Sequence, residues 1–179
     1  MSIKGFTVGA IALAAVAFAA NTNAATDTGT ADATVIQPIT ITADQSLSFG
    51  KFVKGATGGT VVLTTAGART ATGDVVLSTA GAFESAGIFT VTGETDSTFS
   101  ITVPATVTLT EAGTSTTMEI TTFSDLDGST AMTTAAGNVT GGTLTGGTQT
   151  LYVGGELAVG ATQVSADYTG TYDVTVEYN

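Results

Sequence analysis

The 179-residue sequence has no cysteine, no histidine, no tryptophan, only two prolines, and four basic side chains against fifteen acidic ones. Each shortage excludes a class of function. Without imidazole neither a Ser-His-Asp triad nor a histidine base can be built. Without thiols there is no cysteine nucleophile and no thiolate-held structural zinc. Carboxylate pairs are the remaining catalytic option, but the acidic residues scatter over turns and solvent-facing positions. An enzyme is therefore the least favoured class, and no catalytic, cofactor-binding or metal residue is assigned. With so few basic residues, nucleic acid is excluded as a partner: a surface this acidic repels a phosphate backbone.

Long apolar runs are also lacking, with one exception. Lys4 is followed by an uncharged, mostly apolar run at residues 5–20 and then by small residues up to Ala24. This reads as a signal peptide over residues 1–24, with Ala19 an alternative cleavage point, and so predicts export. A spanning helix wants about 20 apolar residues, and no later segment approaches that. Without Lys4 the charge is 3 − 15 = −12. An exported chain that forgoes disulfides must be held by packing, by assembly, or by both.

What is abundant is glycine, with 23 residues, together with threonine and alanine. That composition, with no helical window after the leader, predicts short strands joined by glycine turns in a single domain. Residues 25–32 are small and polar. At residues 33–43 apolar positions begin to alternate with threonines, and Pro38, which cannot donate to a ladder, sets a boundary. Residues 25–37 form a loose arm, and residues 38–179 form the domain. Residues 60–64 and 74–78 read as a hairpin across a glycine-containing loop, and residues 87–93 read as a strand bracketed by glycines. Pro104 splits residues 99–109, residues 117–123 are a strand, and residues 125–147 are mostly loop. Residues 151–159 form a hairpin or a bent strand around a glycine pair.

The clearest period-2 pattern lies at residues 168–179: Tyr172, Val174, Val176 and Tyr178 share one face, and Thr171, Asp173, Thr175 and Glu177 the other. Such a strand sits inside a sheet or leaves an edge that invites another chain. The expected fold is an all-β antiparallel sandwich of roughly seven to nine strands. Asp125, Asp127 and Gly128 begin like a calcium loop, but no glutamate closes it at the twelfth position. A plain Asp-Gly turn is the simpler reading. Asn138 and Thr140 fit a glycosylation pattern, which in a chain with a bacterial-looking leader is read as chance.

Several motifs together resemble a family of Gram-negative exported proteins, a domain of unknown function similar to chaperone–usher fimbrial pilins. They are Leu47 to Gly50, Gly93, Leu151 to Gly154, Leu157 to Val159 and the stretch from Tyr168 to Asn179. The resemblance implies an immunoglobulin-like sandwich lacking one strand. Its groove, bordered by the C-terminal strand, would take a periplasmic chaperone strand and then the N-terminal arm of the next identical subunit, with an outer-membrane usher as a further partner. Carried onto this sequence, Tyr172, Val174, Val176 and Tyr178 line the groove, and Tyr178 matches the penultimate tyrosine. Ala31, Ala33 and Val35 are the donor's inward residues, with Gly29 the small one. Head-to-tail strand addition does not close, so it builds a filament. Two other classes stay open: a monomeric secreted binding module for glycan or matrix, and a small outer-membrane barrel, although interfacial aromatic girdles are not apparent.

Overall fold

A computed structural model of the protein describes residues 24–81, 83–128 and 137–179. The chain divides into two units, residues 1–34 and 35–179. In the first, residues 24–34 are exposed and without regular secondary structure; the leader, apart from Ala24, lies outside the described residues. In the second, all regular structure among the described residues is β except for one 3-10 turn at Thr145–Gly147. No helix among the described residues is long and apolar enough to cross a membrane.

Among the described residues fifteen strands follow one another: β1 (Thr40–Gln45), β2 (Ser48–Phe49), β3 (Phe52–Val53), β4 (Gly59–Leu63), β5 (Arg69–Ala71), β6 (Val76–Leu77), β7 (Glu84–Ser85), β8 (Gly87–Thr92), β9 (Thr98–Thr102), β10 (Thr106–Glu111), β11 (Thr117–Asp125), β12 (Gly141–Thr143), β13 (Thr148–Val159), β14 (Tyr168–Thr169) and β15 (Thr175–Tyr178). The seven to nine expected strands become fifteen because bends cut the runs, leaving five strands of two residues each. All pairings are antiparallel. The largest sheet runs β1-β8-β13-β11-β10-β14, with β4 on β13 and β5 on β4, and a second sheet runs β12-β9-β15. Among the described residues the large sheet ends at β1, β14 and β5 and does not close on itself.

The organising element is β13, twelve residues long, which contains residues 151–159, read as a hairpin or a bent strand; the bent strand is what forms. One edge pairs with β11 over Tyr152 to Leu157. The other pairs first with β8, up to Val153, and then with β4, from Gly155 onward. The changeover falls on the glycine pair. A Cβ on Gly154 would lie 2.5 Å from the Leu63 carbonyl oxygen and 2.6 Å from the Phe123 ring. The backbone leaving β4 therefore passes directly over a residue that must have no side chain. Two core clusters flank this point. Leu157 and Val159 pack with Val61, Leu63, Met118 and Ile120; Leu151 and Val153 pack with Val91, Phe99, Ile101 and Leu144.

The predicted hairpin of residues 60–64 and 74–78 is not formed. Residues 61–63 pair instead with β5, inside the stretch read as loop, and β6 pairs with β3. The tight turn that makes this possible has Gly67 at φ 80°, with Gly67 N donating to the Thr64 carbonyl and Thr64 N to the Ala68 carbonyl. Pro104 does separate β9 from β10, and the strand at residues 117–123 extends to Asp125 with Met118, Ile120 and Thr122 buried. Of the stretch read as loop, residues 129–136 lie outside the described residues; β12 and the 3-10 turn lie within it.

Carboxylates fasten two turns. Asp74 accepts the Thr57 hydroxyl at 2.7 Å and the Thr57 backbone N–H at 3.1 Å; Glu111 accepts the Thr114 hydroxyl and the Gly113 N–H. These bonds favour the ionised forms and hold both carboxyls below their ordinary range.

Candidate functional site

The first and last runs of the second unit lie opposite one another, and each is an edge. Among the described residues, β1, β2 and β3 on one side pair only with β8, β7 and β6, and β14 and β15 on the other pair only with β10 and β9. Between them runs a seam. It is narrowest where β1 and β15 approach within 8 Å, Cα to Cα. It opens into a cavity of about 270 Å³ between residues 43–47 and 170–172, and then into one of about 960 Å³ between residues 47–54 and 163–170. The two cavities share Leu47 and Gly170. The wider one is floored by Leu109, Met118, Ile120, Leu157 and Val159, so core side chains form its base.

The wall of residues 39–54 bends because β1 carries a bulge between Ala43 and Gln45. Arg69, the one arginine in the sequence, holds it in place. Its guanidinium is 4% exposed and 3.6 Å from the Glu84 carboxylate. It donates to the carbonyls of Phe49 at 2.6 Å, Lys51 at 3.1 Å and Ser78 at 2.9 Å. The opposite wall is not one strand, as the sequence pattern predicts, but two joined by a crossing between sheets. Tyr168 and Thr169 pair with β10; the chain then crosses at Gly170, where a Cβ would run into the Thr108 carbonyl oxygen, and β15 pairs with β9.

The alternation itself holds from Thr171 to Asn179. Tyr172, Val174, Val176 and Tyr178 are each half-buried between exposed neighbours, and all four pack against the Leu151 and Val153 cluster. Tyr172 also reaches the other cluster. It meets Phe89 edge-on at 5.9 Å, and its hydroxyl lies 2.5 Å from where a Gly87 side chain would begin. Tyr178 lies over Gly93 in the same way, so two of the motif residues quoted above touch. At the narrow end the Glu94 N–H donates to the Tyr178 hydroxyl at 2.6 Å, which donates to the Gln37 carbonyl at 2.8 Å. At the wide end Lys54 Nζ donates across the seam to the Ala161 carbonyl at 2.8 Å. Of the donor-arm residues, Gly29, Ala31 and Ala33 fall in the first unit, exposed and irregular. Val35 begins the second unit and is 97% exposed.

Burial pushes the Tyr172 hydroxyl from 10 up to about 12. The neutral phenol is the form the folded state favours, so its contribution is fully present below pH 10 and is lost as pH rises from 10 towards 12. Thermal melts across that range are expected to show a progressive fall in stability, reduced in Tyr172→Phe, which keeps the ring and cannot ionise.

Asp125 behaves as a turn residue: one carboxylate oxygen accepts the Thr65 hydroxyl at 2.5 Å and the other the backbone N–H of Asp127 and Gly128. The Asn138 amide nitrogen, the atom a glycan would need, donates inward to Thr122. Sequence reasoning missed the second wall at residues 163–170 and the Arg69 anchor. A lone arginine in so acidic a chain was the available signal for the anchor.

A family model described as a domain of unknown function, DUF4402, matches residues 39–178. The chain belongs to this family. Both walls of the seam fall inside the DUF4402 domain, and the arm at residues 25–37 falls outside it. No curated protein matches the chain.

Proposed function

We propose that this DUF4402 protein is a structural subunit of a bacterial surface filament that polymerises head-to-tail by strand donation. Its domain is an immunoglobulin-like sandwich short of one strand, and the seam between the first and last runs accepts the arm, residues 25–37, of the next subunit. The observation that carries the reading is that every strand bordering the seam is an edge strand while its floor is hydrophobic core. An inserted strand would satisfy open backbone groups and finish the burial of Ile39, Ile41, Tyr172, Val174 and Val176, which are half-buried. Export through the periplasm, a chaperone that fills the seam first and an usher at the outer membrane follow from the pilin resemblance.

Deleting residues 25–37 tests the reading. Surface-sheared material from cells making the intact protein is expected to run as a ladder in unboiled detergent gels, collapse to one band on boiling, and show filaments in negative stain. The deletion should leave monomer or a chaperone complex. Filaments assembling normally from the truncated chain would overturn the proposal. A single unboiled band from the intact chain, with no filaments, would favour the monomeric module for glycan or matrix.

A further inference from the structure

Gln37, the last residue of the arm, is tied to the domain by a closed ring of three hydrogen bonds. Its N–H donates to Glu94 Oε2 at 3.0 Å, the Glu94 N–H donates to the Tyr178 hydroxyl at 2.6 Å, and that hydroxyl donates to the Gln37 carbonyl at 2.8 Å. Both backbone polar groups of Gln37 are therefore engaged, although the residue is exposed. The ring joins three distant parts of the chain: the run before β1, the turn after β8 and the end of β15. Gly93 leaves room for the hydroxyl, which a side chain there would run into. Pro38 stiffens the next step, because its ring fixes its own φ and confines Gln37 to extended backbone. Ile39 then packs against the Leu151 and Val153 cluster. On the other side of the ring, Val35 and Ile36 are exposed and carry no regular structure.

We infer that Tyr178 and Glu94 are positioning residues that clasp the root of the arm, so that Gln37 moves with its own domain. The consequence in a filament rests on the strand-donation reading. An arm whose last inward residue is Val35 leaves only Ile36 between the part held by the neighbouring subunit and the Gln37 held at home. One residue spans at most about 3.6 Å, so successive domains are joined with almost no slack, and the clasp sets the angle between them. A longer free stretch would let the joint bend. The two ends of the Tyr178 side chain thus serve different purposes: the ring packs against the core as Val174 and Val176 do, and the hydroxyl holds the arm.

Amide exchange in the intact mature chain tests the clasp, and filament shape tests its consequence. Tyr178→Phe keeps the ring and removes only the hydroxyl. It is expected to speed exchange of the Gln37 N–H, which is bonded to Glu94 and not to Tyr178, by about fivefold, with β11 and β13 unchanged. Glu94→Ala should do the same, and Glu94→Gln, which keeps an accepting carbonyl oxygen, should recover most of the protection. Tyr178→Phe filaments should form but bend more in negative stain. So should filaments of a chain with two glycines inserted after Ile36, in which the clasp is intact and only slack is added. Unchanged Gln37 exchange in both Tyr178→Phe and Glu94→Ala would overturn the clasp. Filaments as stiff as the parent's in every variant would overturn the taut joint and leave strand donation standing. No filaments from the intact chain would overturn the joint together with strand donation, and Gln37 exchange would still decide whether the root is held.

Discussion

Gly154→Ala is expected to destabilise the domain by about 3–5 kcal/mol, most of the stability an ordinary domain has. The added methyl would sit 2.5 Å from the Leu63 carbonyl oxygen, 2.6 Å from the Phe123 ring and 3.0 Å from the Thr64 carbonyl carbon. Two of these three neighbours are backbone. Relief therefore requires β4 to lift away from β13, breaking the Gly155 to Leu63 end of their ladder and opening the cluster that contains Val61 and Leu63. Overpacking of this kind cannot be absorbed by a rotamer change. Gly160→Ala is the control: the nearest atom is the far end of the Gln163 side chain at 3.2 Å, and a change of a few tenths of a kcal/mol is expected. Urea melts of both variants check the pair. A Gly154→Ala midpoint equal to the parent's would show that β4 is not pinned across the glycine pair.

Arg69→Met should cost nearly as much, about 3–5 kcal/mol, and should act on the seam as well as on the fold. Removing the guanidinium takes a donor from the carbonyls of Phe49, Lys51 and Ser78, of which Lys51 keeps the Ser78 N–H, and a buried acceptor left unpaired costs about 1–3 kcal/mol. It also leaves Glu84 without its cation. Phe49 and Lys51 belong to the seam wall, so amide exchange at residues 48–53 should rise more than exchange in β11 or β13. Arg69→Lys keeps the charge but not the planar fork that serves several carbonyls at once, and only partial recovery is expected. Uniform exchange changes across the domain would mean that Arg69 is a general core residue and not an anchor for this wall.

Both results depend on features with unequal visibility in the sequence. The alternation of Tyr172, Val174, Val176 and Tyr178 needs only neighbouring residues, because side chains two apart on a strand share a face whatever the strand pairs with. The same local logic placed a break at Pro104 and a strand at residues 117–123. It failed where the choice of partner mattered. Residues 60–64 and 74–78 look alike, yet β4 takes β5, because a four-residue turn closes at lower entropic cost than a longer loop and because Arg69 finds three carbonyls inside.

The sequence by itself therefore determined the class of the fold, the absence of imidazole and thiol chemistry, the acidic surface and the faces of the individual strands. Composition and period-2 patterning are carried by residues close together in the chain. Only the tertiary structure decided that β13 changes partner at Gly154 and Gly155, that the chain crosses between sheets at Gly170, and that an open seam with lysines at one end lies between residues 39–54 and 163–178. Those outcomes depend on which distant backbones approach one another, and hydrogen bonding and close packing across long sequence separations settle that choice.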